Sequence, residues 1–397
     1  MQLILFDAPD LHMHLAPLSL TRPTGAFRTG LLTHAEKWKV ALGLTHEPGF
    51  KTNETLAPLF PFPEADHYLC IAGHLLPEEA FKEELKQLKE FGYLTYQNQV
   101  VAAYLPASAM EHFPEFPPSH FPTYEVAQKP RGIFRCWDIF TALGDEIPRD
   151  MAWVTANRTS ATLPEHCRLI GPADRLFIEE GAAVYGATFN TLSGPIYIGK
   201  DAEVMEGSMV RGPFVLAEHG VLKMGTKVYG PTAIGPHSKV GGELNNVQIF
   251  GFSNKAHDGF LGNAVLGEWC NLGADTNNSN LKNNYAEVKM WNYALQTFES
   301  TGKQFAGLIM GDHSKAGINT MFNTGTVVGV SCNIFGAGFP RNFIPDFTWG
   351  GPQGMTGYEL KAAMETMERV LARRNMTVSE PLRHLYATLA EQAKIKR

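Results

Sequence analysis

Cysteine is scarce in this chain of 397 residues, with five in all: Cys70, Cys136, Cys167, Cys270 and Cys332. They are scattered, odd in number and never arranged as C-x-x-C, which excludes a disulfide framework and a zinc site built on thiolates. Reduced thiols of this kind are the usage of a cytoplasmic protein, and that is the compartment expected here. Long hydrophobic runs are missing as well, none approaching the ~18 residues of a membrane-crossing helix. The first residues, MQLILFDAPD, lack the basic region and cleavage site of a signal peptide. A dominant charge is also lacking, with 34 basic against 40 acidic residues and a formal net charge of −6. That balance excludes the electrostatic footprint of a nucleic-acid or anionic-membrane partner. The remaining composition is that of a folded globular protein, and the length calls for two domains and an appendage.

What the chain does have is a beat of six. Stepping by six from Ile198 meets Val204, Val210, Leu216, Leu222, Val228, Ile234 and Val240, all aliphatic. Four residues after each stands a mostly small companion, such as Ala202, Ser208, Gly220, Thr226 or Ser238. The beat slips by two residues, resumes at Phe260, Leu266 and Leu272, and returns after a long interruption at Met310, Ala316, Phe322, Val328 and Ile334. A helix (period about 3.6) and an alternating strand (period about 2) both fail to produce it. A chain wound into a triangular coil does: each hexad supplies one short strand and one corner, with the aliphatic turned to the axis. Stacked coils then pair as parallel strands around a continuous core. The pattern resembles the hexapeptide-repeat family, and a left-handed sense of the β-helix is what that resemblance implies.

Residues 1–160 do not share the beat. LILF, HYLCIAG and VVAAYL read as strands and EEAFKEELKQLKEF as an amphipathic helix, so an α/β domain is expected. EHFPEFPPSHFPTYEVAQKPRG reads as a surface loop and WDIFTALGDEIPRDM as a helix. The β-helix occupies 161–350, and a helical tail 351–397. In the tail, Thr356 and Glu359 make a capping box ahead of a face of Leu360, Met364, Met367 and Leu371, and Ser379 starts a second helix.

The smooth wall of such a prism does no chemistry, so the slip is where function is sought. It coincides with NKAHDGFLGNAVLGEWCNLGADTNNSN, residues 254–280, which presents Lys255, His257, Asp258 and a run of asparagines. Acyl transfer to an amine needs a base, and histidine titrates near neutrality. Exposed corner N–H groups can stabilise an oxyanion, and Asp258 can orient the ring. Asparagines bond sugar hydroxyls and amides without adding charge. An excursion, residues 280–307, follows before regularity returns.

NKAHDGFLGNA followed by NLGADT is similar to the S-K-A-G-H-L-T-Y-L-G-D-A and N-I-G-A-G-T segments of the bifunctional enzymes that acetylate glucosamine-1-phosphate and couple the product to UTP. This chain has one residue fewer between lysine and histidine. The resemblance implies a catalytic base at His257, sugar-phosphate contacts at Asn271 and Phe260, acyl-CoA contacts at Ala274 and Asn280, and a phosphate-binding lysine at Lys282 or Lys289. It also implies acetyl-CoA as co-substrate, a sugar phosphate or nucleotide sugar as partner, and a homotrimer with sites in the grooves between prisms. The fold's metal-binding members carry an H-x-x-x-x-H pair; His219, His237 and His257 lie eighteen and twenty residues apart, and no metal is expected on that wall.

In the same family the first domain is a nucleotidyltransferase with a glycine-rich phosphate loop. Here LILF is followed by DAPDLHMHLAPLSLTRPTGAFRTGLLTHAEKW, without G-x-G, which resembles a divergent branch of sugar nucleotidyltransferase-like proteins. Arg22, Arg28 and Lys37 can hold phosphates in place of the loop, or be solvated or paired with Glu36. The family's metal-binding aspartate falls on CIAGHLLP, which has Gly73 and His74 and no acid, so Mg2+ is expected only if this domain is active. Three functions follow: an acyl-CoA-dependent amino-sugar acyltransferase, a nucleotidyltransferase with a trimerising β-helix, or a nucleotide-sugar-binding scaffold.

Overall fold

The computed structural model describes residues 1–114 and 121–395. The middle of the proline-rich loop expected over 111–132, residues 115–120, lies outside the described residues. The chain forms two compact units. One comprises Met1–Leu15, Thr21–Phe27 and Leu32–Arg135; the other comprises Ala16–Leu20, Arg28–Leu31 and Cys136–Arg397.

The first unit is an α/β layer. Strands β1 (Gln2–Phe6), β2 (Gly49–Lys51), β3 (His67–Ala72), β4 (Gly92–Tyr96), β5 (Gln99–Pro106) and β6 (Thr123–Glu125) lie in the order β2-β1-β3-β5-β4-β6. β1 runs parallel to both of its neighbours and β5 antiparallel to both of its own. LILF and YLCIA are buried throughout, as central strands covered on two faces must be. Helix α1 (His34–Ala41) starts on a capping box, with the Glu36 amide donating to Thr33 Oγ1 at 3.2 Å and the Thr33 amide to Glu36 Oε2 at 2.6 Å. α2 (Glu79–Leu85) is the amphipathic helix read from EEAFKEEL.

The second unit is a parallel β-solenoid. One of its faces is a ten-stranded sheet whose last member, Gly354–Gly357, is antiparallel. All eight aliphatics from Ile198 to Val240 are buried in its core, as are Met310, Ala316, Phe322, Val328 and Ile334. The companions are small because they sit at tight corners: a Cβ on Gly220 would lie 2.7 Å from Leu216 Cδ1. Phe260 departs from the expected beat. It pairs with the outward Glu243 and is half-buried, and Leu261 enters the core instead, opposite Leu244. Coil length is the cause. Leu222 and Val240 are stacked partners eighteen residues apart, but Val240 and Lys255 are fifteen apart and Asn254 and Asn271 seventeen.

Helix α3 (Cys136–Val154) packs along the solenoid strands that bear the shortened coils. The tail forms α4 (Leu360–Ala372) and α5 (Glu380–Ile395). α4 is capped at Glu359, and Thr356 lies in the strand before it, so the expected capping box does not form. Met364, Met367 and Leu371 are buried as expected, and the Leu382 amide reaches Ser379 Oγ at 3.4 Å. Among the described residues no helix is long and apolar enough to cross a membrane. Inward and outward positions make opposite demands on side chains, which urea unfolding can test. Leu222→Ala should cost about 2–5 kcal/mol, whereas Lys239→Ala, on an exposed outward position of the same prism, should change stability by less than about 0.5 kcal/mol.

Candidate functional site

The shortened coil bends between the strand Asn254–Lys255 and the strand that starts at Phe260. Gly259, at φ +119°, makes the bend possible: a Cβ there would lie 2.3 Å from the Thr276 carbonyl oxygen. His257 and Asp258 are both exposed at this corner. The His257 ring has no hydrogen-bond partner among the described residues, and Asp258 does not bond it. The histidine is therefore not spent on a corner carbonyl.

Lys255, read from the sequence as presented to solvent, is buried to 1% exposure. It stands opposite Val240, at an inward position filled elsewhere on this face by aliphatic side chains. Its ammonium turns back to the corner and donates to the His257 carbonyl at 2.8 Å. Burial pushes its pKa down to about 8, against the attraction of Asp258 and Asp275. A second inward polar group lies one coil on. Asn278 accepts from the Gly262 amide at 2.8 Å and donates to the Gly262 carbonyl at 2.9 Å, standing in for ladder bonds that the wall lacks there.

The outward side chains of this stretch meet in pairs. Asn254 donates to Asn271 at 2.9 Å, and Asn280 to Asn263 at 2.7 Å. Phe260 and Asn280 both lie over Gly262, where a Cβ would meet the Phe260 ring at 2.4 Å and Asn280 Nδ2 at 2.9 Å. Ala274 is half-buried, and its carbonyl accepts from the Asn319 amide at 2.8 Å. The excursion is a hairpin of Lys289–Asn292 and Thr297–Ser300, closed at its base by Ala306 N to Asn280 O at 3.0 Å. Lys289 is exposed on that hairpin; Lys282 is half-buried, donates to the Glu287 carbonyl at 2.8 Å and lines an open polar cavity of about 520 Å³ with Asn283, Asn284, Asn323 and Asn342. The structure thus groups Phe260, Asn263 and Asn280, sets Lys282 in a cavity of amides, and leaves Lys289 apart.

The first unit has a cavity of about 480 Å³ beyond the end of β1. Tyr96, Phe134 and His74 give it rings, and Asn98, Gln99 and Arg135 give it polar groups. His74 is 6% exposed, and its Nδ1 has no hydrogen-bond partner among the described residues. Burial, reinforced by nearby His34, pushes its pKa down to about 3, so the ring is neutral. Asp10 is the one carboxylate among the described lining residues; Asp7 accepts instead from the Thr24 amide at 2.7 Å and from Thr52 Oγ1 at 2.5 Å. Arg22 and Lys37 are buried, Lys37 completely, and neither lines this cavity. Arg28 belongs to the second unit, where it donates to the Leu31 carbonyl.

Residues 3–159 match the family model described as sugar nucleotidyl transferase. The first part is a sugar nucleotidyltransferase-like domain. A stretch of 78 residues, 20% of this chain, is 38% identical to the bifunctional protein GlmU of Methanocaldococcus jannaschii. The chain spans 18% of that relative's length. A solved UDP-N-acetylglucosamine acyltransferase of Arabidopsis is 12% identical over 59% of this chain and 90% of its own, with a TM-score of 0.23. Within the chain, the residues that match that family model are followed by a parallel β-solenoid and a helical tail.

The buried lysine has a pH signature. A lysine held near 8 when folded and near ~10.4 when unfolded takes up more protons in the unfolded chain across that window, so its penalty on stability is present below pH 8 and fades as pH rises. Lys255→Met should be more stable than wild type at pH 7, by on the order of 2 kcal/mol, with the advantage lost towards pH 10.5. The comparison must be made between the two proteins, because the buried Cys270 thiol, pushed up to about 12, gives both a fall in stability at high pH.

Proposed function

We propose that the solenoid transfers an acyl group from acyl-CoA, with acetyl-CoA the expected donor, to the amino group of an amino-sugar phosphate or nucleotide sugar. The observation that carries this reading is His257: an exposed imidazole, without a hydrogen-bond partner among the described residues, on the bend of a shortened coil. It takes the proton from the amine as the nitrogen attacks the thioester carbonyl. The tetrahedral intermediate collapses to the amide, and coenzyme A leaves as the thiol after taking up a proton. Phe260, Asn271 and Asn280 offer a ring face and amides to the sugar and the pantetheine arm, with Ala274 beside that arm, and Lys282 offers a cation for phosphate. Lys289 is the alternative cation. A homotrimer, with a second prism facing this wall, would complete the groove, and the exposed outward Met209, Met224 and Tyr229 suit contact between copies.

Thiol release from acetyl-CoA in the presence of glucosamine-1-phosphate tests the assignment. The wild type should release thiol, and His257→Ala should lose at least ~100-fold in kcat with unchanged unfolding. Retention of activity in His257→Ala removes the histidine from the mechanism.

The first-unit cavity supports a second reading, that this domain binds a nucleotide or nucleotide sugar. The ring faces suit a base, neutral His74 Nδ1 lacks a partner among the described residues, and Arg135 can meet a phosphate. The described lining residues include one carboxylate, a poor cradle for Mg2+, so the reading is of binding. Titration calorimetry with UTP and UDP-sugars should show saturable binding, weakened at least ~10-fold in Arg135→Ala. Unaltered affinity in that variant moves the nucleotide elsewhere, and pyrophosphate release by the wild type would establish turnover.

A further inference from the structure

We propose that Lys255 is a positioning residue for His257: from inside the prism its ammonium holds the peptide plane that follows the histidine and so sets the direction in which the imidazole leaves the wall. The inference rests on the reading of His257 as base and adds a residue to that site.

Stability does not account for a lysine at this position. The side chain takes a place whose stacked neighbours above and below are aliphatic, in a coil core otherwise closed to charge. Exchanging a buried charge for an apolar side chain of similar volume is often neutral or stabilising. Methionine would fit the same column, and the hexad pattern by itself calls for an aliphatic. What the lysine supplies that methionine cannot is the 2.8 Å bond from Nζ to the His257 carbonyl. The peptide that follows His257 has little else to define it, although its neighbours on either side are held. Of residues 255–259, the carbonyls of Lys255, Asp258 and Gly259 accept from the amides of Gly241, Asp275 and Glu243 at 2.7, 3.1 and 3.2 Å. Among the described residues the His257 carbonyl has no such backbone donor and is taken by the lysine instead. Gly259 gives the next residues wide conformational freedom, so without the ammonium the peptide after His257 can rotate and carry the ring with it. Asp258 and Asp275 face the ammonium from the same corner and keep it charged at neutral pH.

The test uses the full chain as Lys255→Met and Lys255→Arg. In Lys255→Met, thermal stability at pH 7 should rise, and kcat for acyl transfer should fall at least ~10-fold with KM for the amino sugar within about threefold. Amide exchange of Glu243 and Asp275, which report on the carbonyls of the held segment, should quicken at least ~10-fold. Lys255→Arg keeps a donor and should return kcat to within about fivefold of wild type. A kcat within about twofold of wild type in Lys255→Met, or unchanged exchange at both amides, overturns the proposal. So does a Lys255→Met chain that fails to fold, since the lysine would then be a requirement of the core. If the wild type transfers no acyl group at all, the functional reading fails, and the exchange measurement alone decides whether Lys255 holds the corner.

Discussion

The rest of the solenoid depends on its in-register parallel ladder. Each short strand lies directly over its counterpart in the coil before, so inward residues stack on inward residues: Val204 on Leu222, Leu222 on Val240, Ile198 on Leu216. While coils keep eighteen residues, every position repeats and the wall is featureless. A coil of fifteen or seventeen residues must keep the same stacking with less chain, so its corners tighten and its polar side chains change places. Lys255 turns inward and His257 outward for this one geometric reason.

The regular part of this arrangement was legible because it repeats. One aliphatic every six residues cannot belong to a helix or a simple strand, and each one from Ile198 to Val240 lies in the core. The irregular part was legible only as a disturbance. Counting in sixes carried Phe260 into the core, where the stacking partner of Leu244 is in fact Leu261. The burial of Lys255 escaped for a chemical reason, since lysine is among the residues least expected inside. The pattern did hold the signal: this face is built of two-residue strands whose second member points inward, as in Glu203–Val204, Val221–Leu222 and Lys239–Val240, and Asn254–Lys255 is the next of them.

The first unit shows the opposite balance. Its strands were plain from their apolar runs, but its cavity was not, because the residues that form it come from distant segments such as Leu11, His74, Tyr96 and Arg135. Basic residues chosen for proximity in sequence, Arg22, Arg28 and Lys37, are separated by the fold into a buried pair and a member of the other unit. A chain lacking a glycine-rich phosphate loop can still build a ring-lined pocket beyond the end of its first strand, with the buried His74 in its lining.

Direct titration of the lysine side chains, with 13C at Cε and NMR detection, reaches the central claim without relying on any activity. The account predicts that a resonance removed by Lys255→Met titrates near 8, well below the ordinary lysine value of ~10.4. If the resonance lost in that variant titrates with the exposed lysines instead, the ammonium is in water, the ladder does not run through residue 255, and the account of the corner is wrong.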